Sequence, residues 1–72
     1  MAIPRVRLQL STRLRQLRAK DGLTQEELAE RAGLDARYYQ RLESRKPTAI
    51  KIDTIDRLAK AFKITCSKLL EF

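Results

Sequence analysis

Arg37, Gln40 and Arg41 stand at i, i+3 and i+4, the spacing that puts side chains on one face of a helix. An arginine guanidinium is a rigid fork of donors that fits the O6 and N7 acceptors of guanine, and a glutamine amide fits the N6 and N7 edge of adenine. Groups that would support catalysis are missing: the sequence has no histidine, no glycine-rich phosphate loop, no nucleophile elbow and no paired inward carboxylates, so no enzymatic role is expected. The single cysteine, Cys66, has neither a disulfide partner nor a histidine with which to share zinc. It is expected to be a small half-buried residue beside a helix start, and no metal or cofactor is expected.

The charge balance points the same way as the arginine face. The net charge is +7, with a pI near 10.2, which favours a polyanionic partner. Arg5, Arg7, Arg13, Arg15, Arg18 and Lys20 come before any acidic residue, whereas Glu26, Glu27, Glu30 and Asp35 crowd the next segment. That acidic run reads most simply as a solvated face turned away from nucleic acid. With 72 residues, the chain is expected to form one domain, 1–72. An apolar content of 43% at regular spacing argues against disorder despite 35% charged residues. No apolar stretch approaches the roughly 20 residues of a membrane span, and residues 1–10 contain no signal-peptide core. A cytoplasmic location is therefore expected.

These side chains need a frame. Residues 5–10 alternate polar and apolar, which predicts a short N-terminal arm or strand over 1–10, with Pro4 at an edge. Ser11 is expected to cap a first helix with Leu14 and Leu17 inward, ended by Asp21-Gly22. Thr24 and Glu27 form a capping-box pattern for a second helix, in which Leu28, Ala29 and Ala32 face inward. Gly33 supplies a left-handed turn, Leu34 plugs it, and Asp35 caps a third helix from Ala36 to about Ser44 with Tyr39 and Leu42 inward. A loop around Pro47 leads to a fourth helix carrying Ile52, Ile55, Leu58, Ala59 and Phe62 at helical spacing. Thr65 or Cys66 opens a last helical turn through Leu69, and Leu70-Glu71-Phe72 could return as a second strand. The expected class is all-α, five helices with a possible small two-stranded terminal sheet.

The stretch from Gly22 to Glu43 resembles the helix-turn-helix of the lambda-repressor, Cro and C1 family, with Gln25 opening helix two, Ala29 where the helices touch, Gly33 at the turn and Glu43 closing helix three. Flanking Leu14, Leu17 and Arg18, and then Ile55, Leu58, Ala59 and Phe62, look like the family's first and fourth helices, so residues 11–70 are covered. The resemblance implies a helix-turn-helix over 24–44 and a third helix that enters the major groove of duplex DNA. It puts Ala36, Arg37, Gln40 and Arg41 at positions that reach base edges, Ala36 with only an apolar contact to give. Gln25, Ser44, Arg45 and Lys46 match phosphate-contacting positions. Tyr38 either meets the DNA backbone or a thymine methyl, or packs over the protein's own surface. Arg18 and Glu43 match a structural ion pair between helix one and the end of helix three. Arg45 and Lys63 stand where many members carry glycine, and Tyr39 where Ile or Val is usual; a left-handed residue with a side chain costs about 1 kcal/mol, so either the loop differs or the strain is tolerated.

These readings converge on a sequence-specific, double-stranded-DNA-binding transcription regulator, a repressor in the first instance, working as a homodimer on two half-sites. The rival reading is a protein-interaction module, an antitoxin or transcriptional adapter using the same fold, with the terminal arm as its best support. RNA is disfavoured, because adjacent Tyr38 and Tyr39 point different ways on a helix and make no stacking platform.

Overall fold

The computed structural model describes residues 2–72. Five helices follow one another: α1 Arg5–Asp21, α2 Gln25–Ala32, α3 Ala36–Leu42, α4 Ile52–Ala61 and α5 Cys66–Leu69. Among the described residues there is no strand and no helix long and apolar enough to cross a membrane.

Of the expected arm or strand over 1–10, residue 1 lies outside the described residues and residues 5–10 are instead the first part of α1; among the described residues no terminal sheet forms. Leu10, Leu14 and Leu17 recur at helical spacing, with Leu10 and Leu14 buried and Leu17 packed against the core. Once that turn exists, each residue added towards the N-terminus gains a hydrogen bond without a new nucleation cost. A strand here would need a partner edge. The alternating Val6 and Leu8 therefore point outward, 57% and 42% exposed, and α1 begins after Pro4, whose carbonyl accepts from Arg7 N–H at 3.0 Å. Ser11 consequently lies inside α1, 1% exposed, and caps nothing. At the other end of the chain, α5 is followed by a turn in which Phe72 N–H donates to the Leu70 carbonyl.

Local chemistry sets α2 and the start of α3. The Thr24 hydroxyl accepts from Glu27 N–H at 3.1 Å while the Glu27 carboxylate accepts from Thr24 N–H at 2.9 Å, completing the capping box. These bonds hold the Glu27 carboxyl below its ordinary pKa. Gly33, at φ +68°, lets Leu34 N–H reach back to the Ala29 carbonyl at 2.8 Å. Asp35 then caps α3 by accepting from Arg37 and Tyr38 N–H at 2.9 and 3.1 Å. α3 ends at Leu42, two residues earlier than the sequence suggests.

The core joins Leu10, Leu14, Leu28, Tyr39, Leu42, Leu58, Phe62 and Leu69 from all five helices and their edges. α2 packs on α3 and α4, and α4 packs on α5. Ile52, which shares the helical spacing of Ile55 and Ala59, is 79% exposed: it is the first residue of α4, at the end of the helix. Lys63, at φ 59°, turns the chain out of α4 as a left-handed residue, so the strain implied at this position is tolerated. Thr65 caps α5 by accepting from Lys68 N–H at 3.1 Å.

Candidate nucleic-acid interface

α3 buries Tyr39 and Leu42 and turns Arg37, Gln40 and Arg41 to solvent on its opposite face. Arg45 and Lys46, in the loop that follows, are exposed as well. Ala36 and Tyr38 are half-buried against the core, so the packing alternative for Tyr38 accounts for part of its surface. One edge of the molecule thus presents four cations and an amide within ten residues of sequence, 37–46.

Glu43, just beyond α3, is buried with 1% of its side chain exposed and meets Arg18 of α1 in a fork: Nε to Oε2 at 2.8 Å and Nη2 to Oε1 at 2.9 Å. A third guanidinium nitrogen, Nη1, donates to the Leu23 carbonyl at 3.0 Å, so Arg18 joins α1, the α1–α2 turn and the end of α3. Burial alone would push the Glu43 carboxyl up, but the hydrogen bonds from Arg18 and Gln25 outweigh it and hold the group below its ordinary value. The carboxylate in turn raises the Arg18 guanidinium. Tyr39 lies beneath this pair with its hydroxyl buried and unpartnered. Burial, with the neighbouring carboxylate, pushes its phenol well above the ordinary range.

Two of the phosphate-contacting positions implied by the resemblance have internal work. Gln25 Nε2 donates to Glu43 Oε1 at 3.2 Å, which commits the amide nitrogen to the ion pair. The Ser44 hydroxyl donates to the Arg41 carbonyl at 2.8 Å and accepts from Lys46 N–H at 3.3 Å, shaping the turn that carries Arg45 and Lys46. Arg45 does not take the left-handed conformation of the glycine it replaces, so this loop has a different shape.

Sequence reasoning missed Ser11 and Arg15. The buried Ser11 hydroxyl donates to the Ser44 carbonyl at 3.2 Å, and Arg15 Nη1 donates to the Glu43 carbonyl at 2.7 Å. Their spacing with Arg18, at i, i+4 and i+7, was a readable signal of one helix face. Assigning Ser11 to a cap concealed it.

The helix-turn-helix family profile matches residues 14–69. No match is found among curated protein sequences. Among solved structures, the chain is similar to the restriction-modification controller protein C.AhdI from Aeromonas hydrophila, with 36% identity, a TM-score of 0.82, and 88% of this chain and 94% of that one covered. It is also similar to a hypothetical transcription factor, NHTF, from Neisseria, with 32% identity, a TM-score of 0.84, and coverage of 96% and 84%. A chain of a SinR protein/SinI protein complex matches with 26% identity and a TM-score of 0.78; 86% of this chain spans 60% of that one. The turn at Gly33, the two capped helices on either side of it and the five-helix frame therefore carry a family as well as a fold: the chain belongs to the Cro/C1-type helix-turn-helix family of DNA-binding transcription regulators.

Proposed function

We propose that residues 1–72 act as one sequence-specific domain that reads the major groove of duplex DNA with α3 and represses transcription. The observation that carries this reading is the outward row Arg37, Gln40 and Arg41 on a helix fixed from behind by the buried Arg18–Glu43 fork. Arg37 and Arg41 supply guanine-directed forks and Gln40 an adenine-directed amide. Ala36 supplies an apolar contact. Tyr38, Arg45, Lys46, the Ser44 turn and the α2 end at Gln25 face the sugar-phosphate backbone, where contacts set register. A seven-residue helix touches few base pairs, so two copies on half-sites about one helical turn apart, near 34 Å, supply the remaining specificity. The domain is a binding module without catalysis and works in the cytoplasm, at the nucleoid.

Selection of bound sequences from a random duplex library at fixed salt tests the reading directly. The expected product is a two-fold-symmetric motif with guanines at fixed positions. Recovery of random sequence by the folded protein overturns it. A protein partner is the second reading, favoured by exposed Leu8 and Phe72 on the walls of an open groove between α1 and the C-terminal residues. Under that reading a stoichiometric partner co-purifies and the selection returns no motif.

A further inference from the structure

The exit of α3 differs from its neighbours. α1 and α2 leave through left-handed Gly22 and Gly33, at φ 67° and 68°, and α4 leaves through left-handed Lys63. Such a residue folds the chain back so that its own amides satisfy the last carbonyls of the helix. Between α3 and α4 no residue has positive φ: Glu43 sits at φ −92°, ψ −1°, with only short-range bonds from its N–H to the Tyr39 and Gln40 carbonyls. The carbonyls of Glu43, the C-cap, and of Ser44, one residue beyond it, lie past the bonds that α3 makes within itself and take partners from elsewhere. α1 provides them through Arg15 Nη1 at 2.7 Å and the Ser11 hydroxyl at 3.2 Å.

We propose that Ser11 and Arg15 are positioning residues for DNA binding, replacing the missing left-handed turn by holding the 43–44 backbone against α1 so that Arg45 and Lys46 are presented in one geometry. The proposal rests on the DNA-binding reading above. Ser11, 1% exposed, cannot itself touch DNA. Its effect must pass through Ser44. Arg15 is exposed and charged, so its backbone role has to be separated from its charge. Arg13 supplies the comparison. It lies on the same helix and also donates to helix-end carbonyls, Leu69 at 3.3 Å and Lys68 at 2.9 Å, but these belong to α5, away from the α3 exit.

The test measures duplex affinity at fixed salt, well below each variant's Tm, together with amide hydrogen exchange at residues 44–46 in the free protein. Ser11→Ala and Arg15→Ala are each expected to weaken binding roughly threefold to tenfold, the equivalent of one hydrogen bond, and to speed exchange at 44–46. Arg15→Lys should recover much of the loss, and Arg13→Ala should stay within about twofold of the parent, the loss of one charge at a distance being screened. Parental affinity and exchange in Ser11→Ala overturn the proposal. So does an Arg13→Ala loss equal to that of Arg15→Ala, which would make the effect one of net charge, or a reduced salt slope in Arg15→Ala alone, which would make Arg15 a phosphate ligand. If the parent chain binds no duplex, the DNA-binding reading fails, and exchange at 44–46 still decides whether the clamp exists.

Discussion

The Arg18 guanidinium and the Glu43 carboxylate meet through two parallel bonds of 2.8 and 2.9 Å, with Gln25 completing the carboxylate's shell at 3.2 Å. One ion pair therefore ties α1, the start of α2 and the end of α3 together. Removing one partner from a buried pair costs more than the pair is worth, because the survivor stays desolvated. Arg18→Ala strands a carboxylate that is 1% exposed and should cost about 3 kcal/mol, towards the lower end of the range for buried pairs because Arg18 itself is partly solvated. For a domain of this size that lowers Tm by more than about 10 °C. Arg18→Met combined with Glu43→Leu should restore most of the loss in the same melts, since an apolar pair carries no desolvation penalty. A double variant no more stable than Arg18→Ala would refute this account.

The same pair sets the acid response. Folding lowers the Glu43 pKa, so the unfolded chain binds more protons in acid. The stabilisation is complete above the ordinary glutamate value of about 4.3 and is lost as pH falls from there through the folded-state value. Tyr39 acts in the opposite direction, because its raised pKa gives stability that is complete below about pH 10 and lost as pH rises further. Urea unfolding as a function of pH should show both declines. Glu43→Gln should flatten the acid side and also lessen the alkaline decline, because the carboxylate helps raise the Tyr39 pKa, whereas Tyr39→Phe should abolish the alkaline decline and keep an acid one, since Arg18 still holds Glu43 down.

Readout and anchoring should separate by salt and sequence. Arg37→Ala and Arg41→Ala are expected to lose about 1–3 kcal/mol of discrimination each at particular base pairs, visible as a relaxed motif. Lys46→Ala should weaken all duplexes alike and reduce the slope of log K against log salt by about 0.9. Titrations of one cognate and one scrambled duplex at several salt concentrations distinguish them. Equal losses on both duplexes for Arg37→Ala would move that residue to the backbone class.

The parts of this architecture that were legible in advance are those whose cause is local. The Thr24–Glu27 box, the Gly33 turn and the Asp35 cap each act within five residues, and the structure forms all three. The N-terminal half of α1 was not legible, because the alternation at 5–10 satisfies a strand pattern equally well and only the phase of Leu10, Leu14 and Leu17 decides it. Ile52 misled for a related reason: periodicity shows the face of a helix but not where the helix begins. The Ser11 and Arg15 contacts span 33 and 28 residues, so local spacing shows that the two share a helix face with Arg18 but not what that face meets.

Two positions where the family resemblance implies glycine resolve in opposite directions, which gives a paired prediction. Lys63 is left-handed at φ 59°, whereas Arg45 is not. At Lys63 a glycine removes a steric cost of about 1–2 kcal/mol and adds about 0.5–1 kcal/mol of unfolded-chain entropy. Lys63→Gly should therefore stabilise by about 0.5 kcal/mol, raising Tm by about 2–4 °C. At Arg45 there is no such strain to relieve, so Arg45→Gly should destabilise by about 0.5 kcal/mol through the entropy alone. It should also weaken duplex binding more than Arg45→Ala does, because the loop gains freedom as well as losing a charge. Both Tm values and both affinities can be read on the same four proteins: parent, Lys63→Gly, Arg45→Gly and Arg45→Ala. Stabilisation by Arg45→Gly would mean that the α3 exit prefers a left-handed turn after all, and the α1 contacts at Glu43 and Ser44 would then be incidental to its shape.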